Sequence, residues 1–283
     1  MHIGLSTCGK KIDEELFSDY SKNSITHMEI SVSSDDCKNL DYVNIKRLAD
    51  IYNIILWSFH LPFSPFSEID LSSKKLKNRT IRYYEELINC ATEIGIKNFI
   101  VHPSAEPILE RYRKIRLEHA KESLYRLACV ADKYNSSILV EDLPRSCLGR
   151  NSDELLELIS VHENLCVCFD TNHLLEENLI DFIEKIGSKI LSTHISDYDF
   201  LNERHWLPGE GKIDWQLIYK KLLEVGYEGP WLYELGFNAP SSIKRDKDLT
   251  CFDFYKNATQ IFCDEQITVF GKPVDGLDGW KKR

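Results

Sequence analysis

Nine histidine, aspartate and glutamate residues could do metal chemistry: His60, His102, Glu141, Asp170, His173, His194, Glu203, His205 and Glu234. Five of them end short apolar runs, in Phe99-Ile100-Val101-His102, Ile138-Leu139-Val140-Glu141, Val167-Cys168-Phe169-Asp170, Leu191-Ser192-Thr193-His194 and Trp231-Leu232-Tyr233-Glu234. A strand that finishes on a carboxylate or imidazole carries a desolvation cost unless the group has a partner. Five such endings suggest one shared partner, and a divalent cation suits oxygen and imidazole donors.

Each residue also has a plainer reading. His60 and His102 taken singly are hydrogen-bonded loop histidines, Asp170-x-x-His173 is an Asx turn, and Glu203-Arg204-His205 is a solvated loop. Glu29 reads equally as an ion-pair partner or a site member. Glu141 is followed by Asp142, and strand phase leaves open which carboxylate turns inward. The joint occurrence at successive strand ends favours the site. His2, His27, His119 and His162 have no comparable setting.

The elements that must hold these residues follow from hydrophobic period. Apolar runs near 2–6, 28–32, 54–59, 98–102, 138–141, 166–170, 190–195 and 231–235 predict eight strands. Helical spacing predicts helices near 12–20, 39–52, 72–94, 111–134, 152–161, 177–186, 214–226 and 249–263. Leu117, Leu124, Leu127, Ala128 and Ala131 form one apolar stripe. Asp214, and Asn151 or Ser152, read as N-caps, and Gly95, Gly187 and Gly226 as helix ends. Eight unbroken βα units predict an α/β fold, a (β/α)8 TIM barrel over 1–264, with sites at the C-terminal strand ends. A doubly wound sheet is the competing fold, but Ser6-Thr7-Cys8-Gly9-Lys10 is a poor dinucleotide fingerprint. Residues 265–283, with Gly271, Pro273, Gly276 and Gly279, read as a short irregular C-terminal extension packed on the barrel. If Asp170 and Glu141 point inward, Cys168, Cys166 and Leu139 lie beneath them as an apolar floor.

Composition narrows the function. The chain has 283 residues, 43% hydrophobic and 28% charged, which suits one large globular domain. No leader pattern or membrane-length apolar run is evident, so the expectation is a soluble cytoplasmic protein without membrane partners. The nine cysteines, with no Cys-x-x-Cys pair, read as reduced small hydrophobes. A net charge of −10 disfavours nucleic acid as a partner. Residues 111–116, Arg-Tyr-Arg-Lys-Ile-Arg, read as the start of an amphipathic helix rather than a duplex-opening wedge.

The chain resembles the xylose isomerase-like barrels, which include sugar phosphate isomerases and epimerases and endonuclease IV. The resemblance covers roughly 1–263. It rests on Val140-Glu141-Asp142-Leu143-Pro144, Phe169-Asp170-Thr171-Asn172-His173, Thr193-His194-Ile195-Ser196-Asp197, Leu207-Pro208-Gly209-Glu210-Gly211-Lys212-Ile213-Asp214-Trp215 and Gly226-Tyr227-Glu228-Gly229-Pro230-Trp231 before Tyr233-Glu234. In sugar-type members it implies one divalent metal (Mn, Co, Mg or Zn) at Glu141, Asp170, His194 and Glu234, and no organic cofactor. It implies that Glu141 and Glu234 exchange protons with a small sugar-like substrate through an enediolate. His173 and His60 are substrate-binding candidates, as are Arg145 and Arg204, with Arg150 and Lys10 as further anion or hydroxyl binders. Dehydratase chemistry begins with the same proton abstraction.

The resemblance to endonuclease IV implies a rival, a multi-zinc phosphodiesterase acting on abasic DNA. All nine residues would then be ligands, His60, His102, His173, Glu203 and His205 included, with Glu203 in place of the family's aspartate. The acidic chain, the lack of a basic and aromatic wedge, and the Pro208–Trp215 stretch favour the sugar enzyme. A non-catalytic sugar-binding barrel would be marked by loss of a core ligand, and none of the four is missing. A homo-oligomer is compatible with all three readings.

Overall fold

In a computed structural model, the described residues are 1–63 and 68–276. Eight parallel strands alternate with eight helices. The strands are β1 (Ile3–Ser6), β2 (His27–Ser31), β3 (Ile55–His60), β4 (Asn98–Val101), β5 (Ser137–Glu141), β6 (Leu165–Asp170), β7 (Ile190–His194) and β8 (Trp231–Tyr233). The helices are α1 (Glu14–Lys22), α2 (Tyr42–Tyr52), α3 (Lys77–Glu93), α4 (Glu110–Asp132), α5 (Ser152–Ile159), α6 (Leu179–Ile186), α7 (Trp215–Glu224) and α8 (Cys251–Phe262). Neighbouring strands pair in chain order, β8 returns to β1, and a parallel bridge between Ile195 and Tyr233 closes the ring. This is a (β/α)8 barrel, as the eight apolar runs predict.

Local chemistry sets the element ends. Asp13, Asp41, Asn151, Asn178, Asp214 and Thr250 cap α1, α2, α5, α6, α7 and α8, their side chains accepting first-turn backbone N–H groups. Gly187 ends α6 at φ +58°, a conformation that costs glycine nothing. Residues 111–116 open α4, and its stripe Leu117, Leu124, Leu127, Ala128 and Ala131 is buried against the sheet. Inside the ring, Ile100, Leu139 and Cys168 form a separate apolar cluster with Cys166 against it. That is the expected floor.

Register decides which carboxylate turns inward. Glu141 lies opposite Cys168, and Asp170 opposite His194. Residues paired across parallel strands share a face, so Glu141 shares the inner face with the Cys168 floor, while Asp142 faces outward. Irregular registers occur between Met28 and Glu29 and between Val167 and Cys168, one step and three steps before site residues, where bulges commonly re-aim side chains.

The Pro208–Trp215 motif acts as a clasp. The buried Asp197 carboxylate, just beyond β7, accepts from the backbone N–H of Gly209 (2.8 Å), Gly211 (3.0 Å) and Lys212 (3.1 Å) and from Trp215 Nε1 (2.9 Å). A Cβ on Gly211 would sit 2.2 Å from Asp197 Oδ1, so only glycine fits. Beyond α8 the chain is mostly irregular, but Gly271–Pro273 (β10) pairs antiparallel with Ile243–Arg245 (β9). There the buried Arg245 guanidinium grips Glu210 of the clasp (2.6 and 2.9 Å). The tail is thereby pinned to the barrel rim. Gly279 of the expected extension lies outside the described residues. No helix of the described residues is long and apolar enough to cross a membrane.

Candidate functional site

The rim cluster assembles around Glu141, at the end of β5. Its Oε2 lies 3.1 Å from His60 Nε2 and 3.0 Å from His102 Nε2, and its Oε1 lies 3.0 Å from His194 Nδ1. Glu234, just past β8, brings Oε2 within 3.0 Å of the same His194 Nδ1, and Asp170 Oδ2 lies 3.9 Å away. One ring nitrogen therefore faces three carboxylates. Its other nitrogen, Nε2, is 3.2 Å from Glu29 Oε2, which also accepts from Ser58 Oγ at 2.7 Å. The Glu29 carboxylate oxygen as acceptor favours a hydrogen on Nε2. Nδ1, facing three carboxylate oxygens, then needs a proton or a cation, because bare acceptors repel one another.

Charge accounting leads to the same place. Among the described residues, Glu29, Glu141, Asp170 and Glu234 make ion pairs with histidines and with no lysine or arginine. Buried carboxylates without a cation draw protons onto their neighbours. Burial pushes His60 down, yet the hydrogen bond and charge of Glu141 outweigh it and carry it up to about 9. His194 and His173 are likewise raised well above the usual imidazole range, the surrounding acidic groups overcoming burial. His102 is the exception, lowered because burial wins. Burial raises Asp170 to about 6, while for Glu234 the His194 charge overrides burial and holds it near 2.

These residues fit a divalent ion. Ligand atoms of Glu141, Asp170, His194 and Glu234 lie within 4.8 Å of one another, as do those of His60, Glu141 and His194. Asp170 Oδ2 and Glu29 Oε1 are buried without a hydrogen-bond partner among the described residues. Such orphaned oxygens suit a divalent cation. Asp142 lies behind the cluster, its Oδ1 accepting from Asp170 N at 2.7 Å and its carbonyl accepting from His173 Nδ1 at 2.8 Å. Burial holds its carboxyl well above the usual range. Asp142 thus serves as a positioning group.

A second group stands on the loops. Ligand atoms of His173, Glu203 and His205 also lie within 4.8 Å of one another, and His173 Nε2 is 3.1 Å from Glu203 Oε1. This group has its own cation. Arg145, in the loop after β5 at φ +54°, pairs with Glu203 and holds Glu106 through two contacts of 2.9 and 3.0 Å. It also donates to Asn202 Oδ1 at 3.1 Å. Arg113 fixes that loop, donating to the carbonyls of Ser146 (3.0 Å) and Cys147 (2.6 Å) while paired with Glu154. Both groups open on one cavity of about 490 Å³, lined among others by His102, Glu141, His173, Glu203, His205 and Glu234.

The model of the xylose isomerase-like TIM barrel matches residues 24–249. The chain belongs to that family. Similar proteins include the uncharacterized protein MJ1311 of Methanocaldococcus jannaschii, 29% identical over 68% of this chain and 67% of that protein. A fructoselysine 3-epimerase of Shigella flexneri is 23% identical over 83% of this chain and 90% of its own length. Among solved structures, a D-tagatose 3-epimerase-like protein superposes with a TM-score of 0.79 at 21% identity, covering 93% of this chain and 97% of that one. At this identity the superposition establishes the shared barrel.

Within this xylose isomerase-like frame, all nine candidate ligands converge. Of the substrate-binding candidates, His173 and Arg145 line the cavity. His60 sits behind Glu141 and is buried, so it reaches the site through that carboxylate. Arg204 is not brought to the cavity. Its guanidinium is buried against Asp199 (2.8 and 2.9 Å), which makes it a loop brace rather than a substrate contact. Arg150 pairs with Glu110 at 2.9 Å, and Lys10 sits 3.1 Å over the Phe237 ring. Sequence reasoning left Glu29 undecided and passed over Glu106 and Phe63. Glu29 carries a signal, an acid between Met28 and Ile30 within an apolar strand. Phe63, stacked on His102 with centroids 3.8 Å apart, carries none.

Proposed function

We propose that the protein is a divalent-metal-dependent sugar isomerase or epimerase working by proton transfer beside a carbonyl. The observation that carries this reading is the approach of Glu141 and Glu234 to the same nitrogen of His194, each at 3.0 Å, on the wall of one cavity. Glu141, Asp170, His194 and Glu234 would hold the ion. When bound, it would polarise a ketone oxygen and its neighbouring hydroxyl and so acidify the adjacent C–H.

The chain's own groups supply the rest. One of the two glutamates takes the proton from carbon, leaving an enediolate, and the other returns a proton. Return to the opposite face of the same carbon inverts it, and return to the neighbouring carbon exchanges aldose and ketose. Burial of the cluster excludes bulk water, which strengthens each electrostatic contact. His173, its Nδ1 held by the Asp142 carbonyl and its Nε2 3.1 Å from Glu203 Oε1, lines the cavity, where the His173–Glu203 pair would meet a substrate hydroxyl together. The names of the similar proteins, a fructoselysine 3-epimerase and a D-tagatose 3-epimerase-like protein, support the same reaction class.

The His173, Glu203 and His205 group favours a second reading, a multi-zinc phosphodiesterase of the endonuclease IV type. Arg145 argues against it, since it already neutralises Glu203. Elemental analysis of protein purified without chelator separates the two. One ion per chain, with activity lost on chelation while the fold stays intact, is the expected result. Full activity without metal would sink the proposal, and three zinc ions with incision of abasic DNA would replace it with the rival. In deuterium oxide, the reading further expects carbon-bound deuterium in a ketose substrate, seen by NMR.

A further inference from the structure

The remaining cavity wall bears on what the sugar carries. One side is apolar: Phe63 after β3, Ile69 and Leu71 in the following loop, Tyr84 on α3 and Leu143 after β5. Phe63 is 48% exposed and stacks on His102, which fixes its ring as a flat apolar face beside the candidate metal ligands. Tyr84 is buried behind this side and its hydroxyl donates to the Pro62 carbonyl at 2.8 Å, so it offers no free hydroxyl to the cavity. At about 490 Å³ the cavity falls within the roughly 300–1,000 Å³ range of sites that enclose drug-sized ligands. A lone sugar ring at the glutamates leaves the apolar side unfilled.

The charged lining points the same way. Among the described residues lining the cavity, Arg145 is the sole lysine or arginine, beside five acids: Asp70, Glu106, Glu141, Glu203 and Glu234. Arg145 is already engaged by Glu106 and Glu203. To bind a phosphate it would have to abandon two carboxylates, and Glu106 has no other cationic partner among the described residues. Asp70 is taken by Arg116 and by Ser72. Among the described residues, the cavity lining therefore offers no unpaired lysine or arginine for an anionic substituent.

We infer that the substrate is an uncharged keto-sugar joined to a second, apolar-faced group, such as an aglycone, which packs against Phe63, Leu71 and Leu143, and that a sugar phosphate is selected against. This rests on the sugar reading above and specifies its substrate class. Three probes with one keto group and different substituents test it: D-fructose, 6-O-benzyl-D-fructose and D-fructose 6-phosphate. Each is titrated calorimetrically into the Mn²⁺-loaded protein.

The expected result is a benzyl ether bound at least about tenfold more tightly than fructose, the scale of one buried apolar contact of about 1.4 kcal/mol, with the phosphate the weakest. In the Phe63→Ala protein the ratio of benzyl ether to fructose affinity should fall severalfold. Phe63 is half exposed, so this variant keeps its fold. A phosphate that binds more tightly than fructose, a benzyl ether with no advantage, an unchanged ratio in Phe63→Ala, or no binding by any probe would overturn the inference. Deuterium exchange reads the other question separately. If the benzyl ether leads in binding but no ketose exchanges a carbon-bound proton, proton transfer fails and the substrate preference stands.

Discussion

The two groups of ligand-type residues at the cavity use the same side-chain types in different proportion, three carboxylates with one histidine against one carboxylate with two histidines, and have opposite electrostatics. Glu141, Asp170, His194 and Glu234 project from strand ends, with Glu29 behind them, and have no arginine or lysine partner among the described residues. His173, Glu203 and His205 stand on loops and share Arg145. The barrel group is positioned by the hydrogen-bonded ring of the sheet, so its carboxylates cannot move apart to relieve repulsion. The loop group has its positive charge built in. Histidine and carboxylate count alone therefore does not define a metal site. The decisive quantity is the negative charge left over once side-chain cations are assigned, and only the barrel group has a surplus.

The sharpest way to break this distinction is at Glu234. Replacing it with glutamine keeps shape and removes one of the two carboxylates at His194 Nδ1. The expected loss of turnover is about 10²–10⁴-fold, the range for removing a positioned acid or base, with circular dichroism and thermal midpoint close to the parent. A Glu234→Gln protein with a normal rate would remove it from the proton-transfer pair.

Glu29 comes next, because it tests whether the surplus is used to bind metal. Its contact with His194 Nε2 fixes which nitrogen is free to ligate. Outer partners of metal-bound histidines commonly contribute about 10–100-fold in metal affinity. Glu29→Gln should weaken metal binding by that amount in chelator competition. The same substitution at Glu203 should change affinity for the tightly bound ion by less than about threefold, since Glu203 contacts His173 rather than any of the four proposed ligands. Equal losses at both positions would mean that the two groups act as one centre.

The sequence carried the barrel group more clearly than the loop group, for a physical reason. Strand-end residues are announced by the apolar runs before them, so the eight strands, the capping residue Asp214 and the strand-end positions of Glu141, Asp170, His194 and Glu234 were readable. Period alone could not choose between Glu141 and Asp142, because that depends on register against β6. Loop contacts have no period. Arg204 and Arg145 look alike in the sequence, but one is buried on Asp199 and the other bridges Glu106 and Glu203 across the cavity. The apolar wall was invisible for the same cause, since Phe63, Tyr84 and Leu143 come from three separate segments.

The smallest predicted effect is the most discriminating. If Arg145 is what keeps the loop group from needing an ion, its removal should create that need. Arg145→Met keeps the length of the side chain but leaves Glu106 and Glu203 without their shared cation. His173, Glu203 and His205 already lie within 4.8 Å of one another, so a divalent ion has three donors ready. The expected outcome is a second, weaker equivalent of Zn²⁺ in calorimetric titration of the metal-loaded variant, absent from the parent, while the first equivalent keeps its affinity. Site saturation should leave the thermal midpoint higher than in the metal-loaded variant alone, because the ion binds the folded chain. If the parent already takes two or more equivalents with comparable affinity, Arg145 is not a substitute for metal, and the contrast between the two groups collapses into one multinuclear centre.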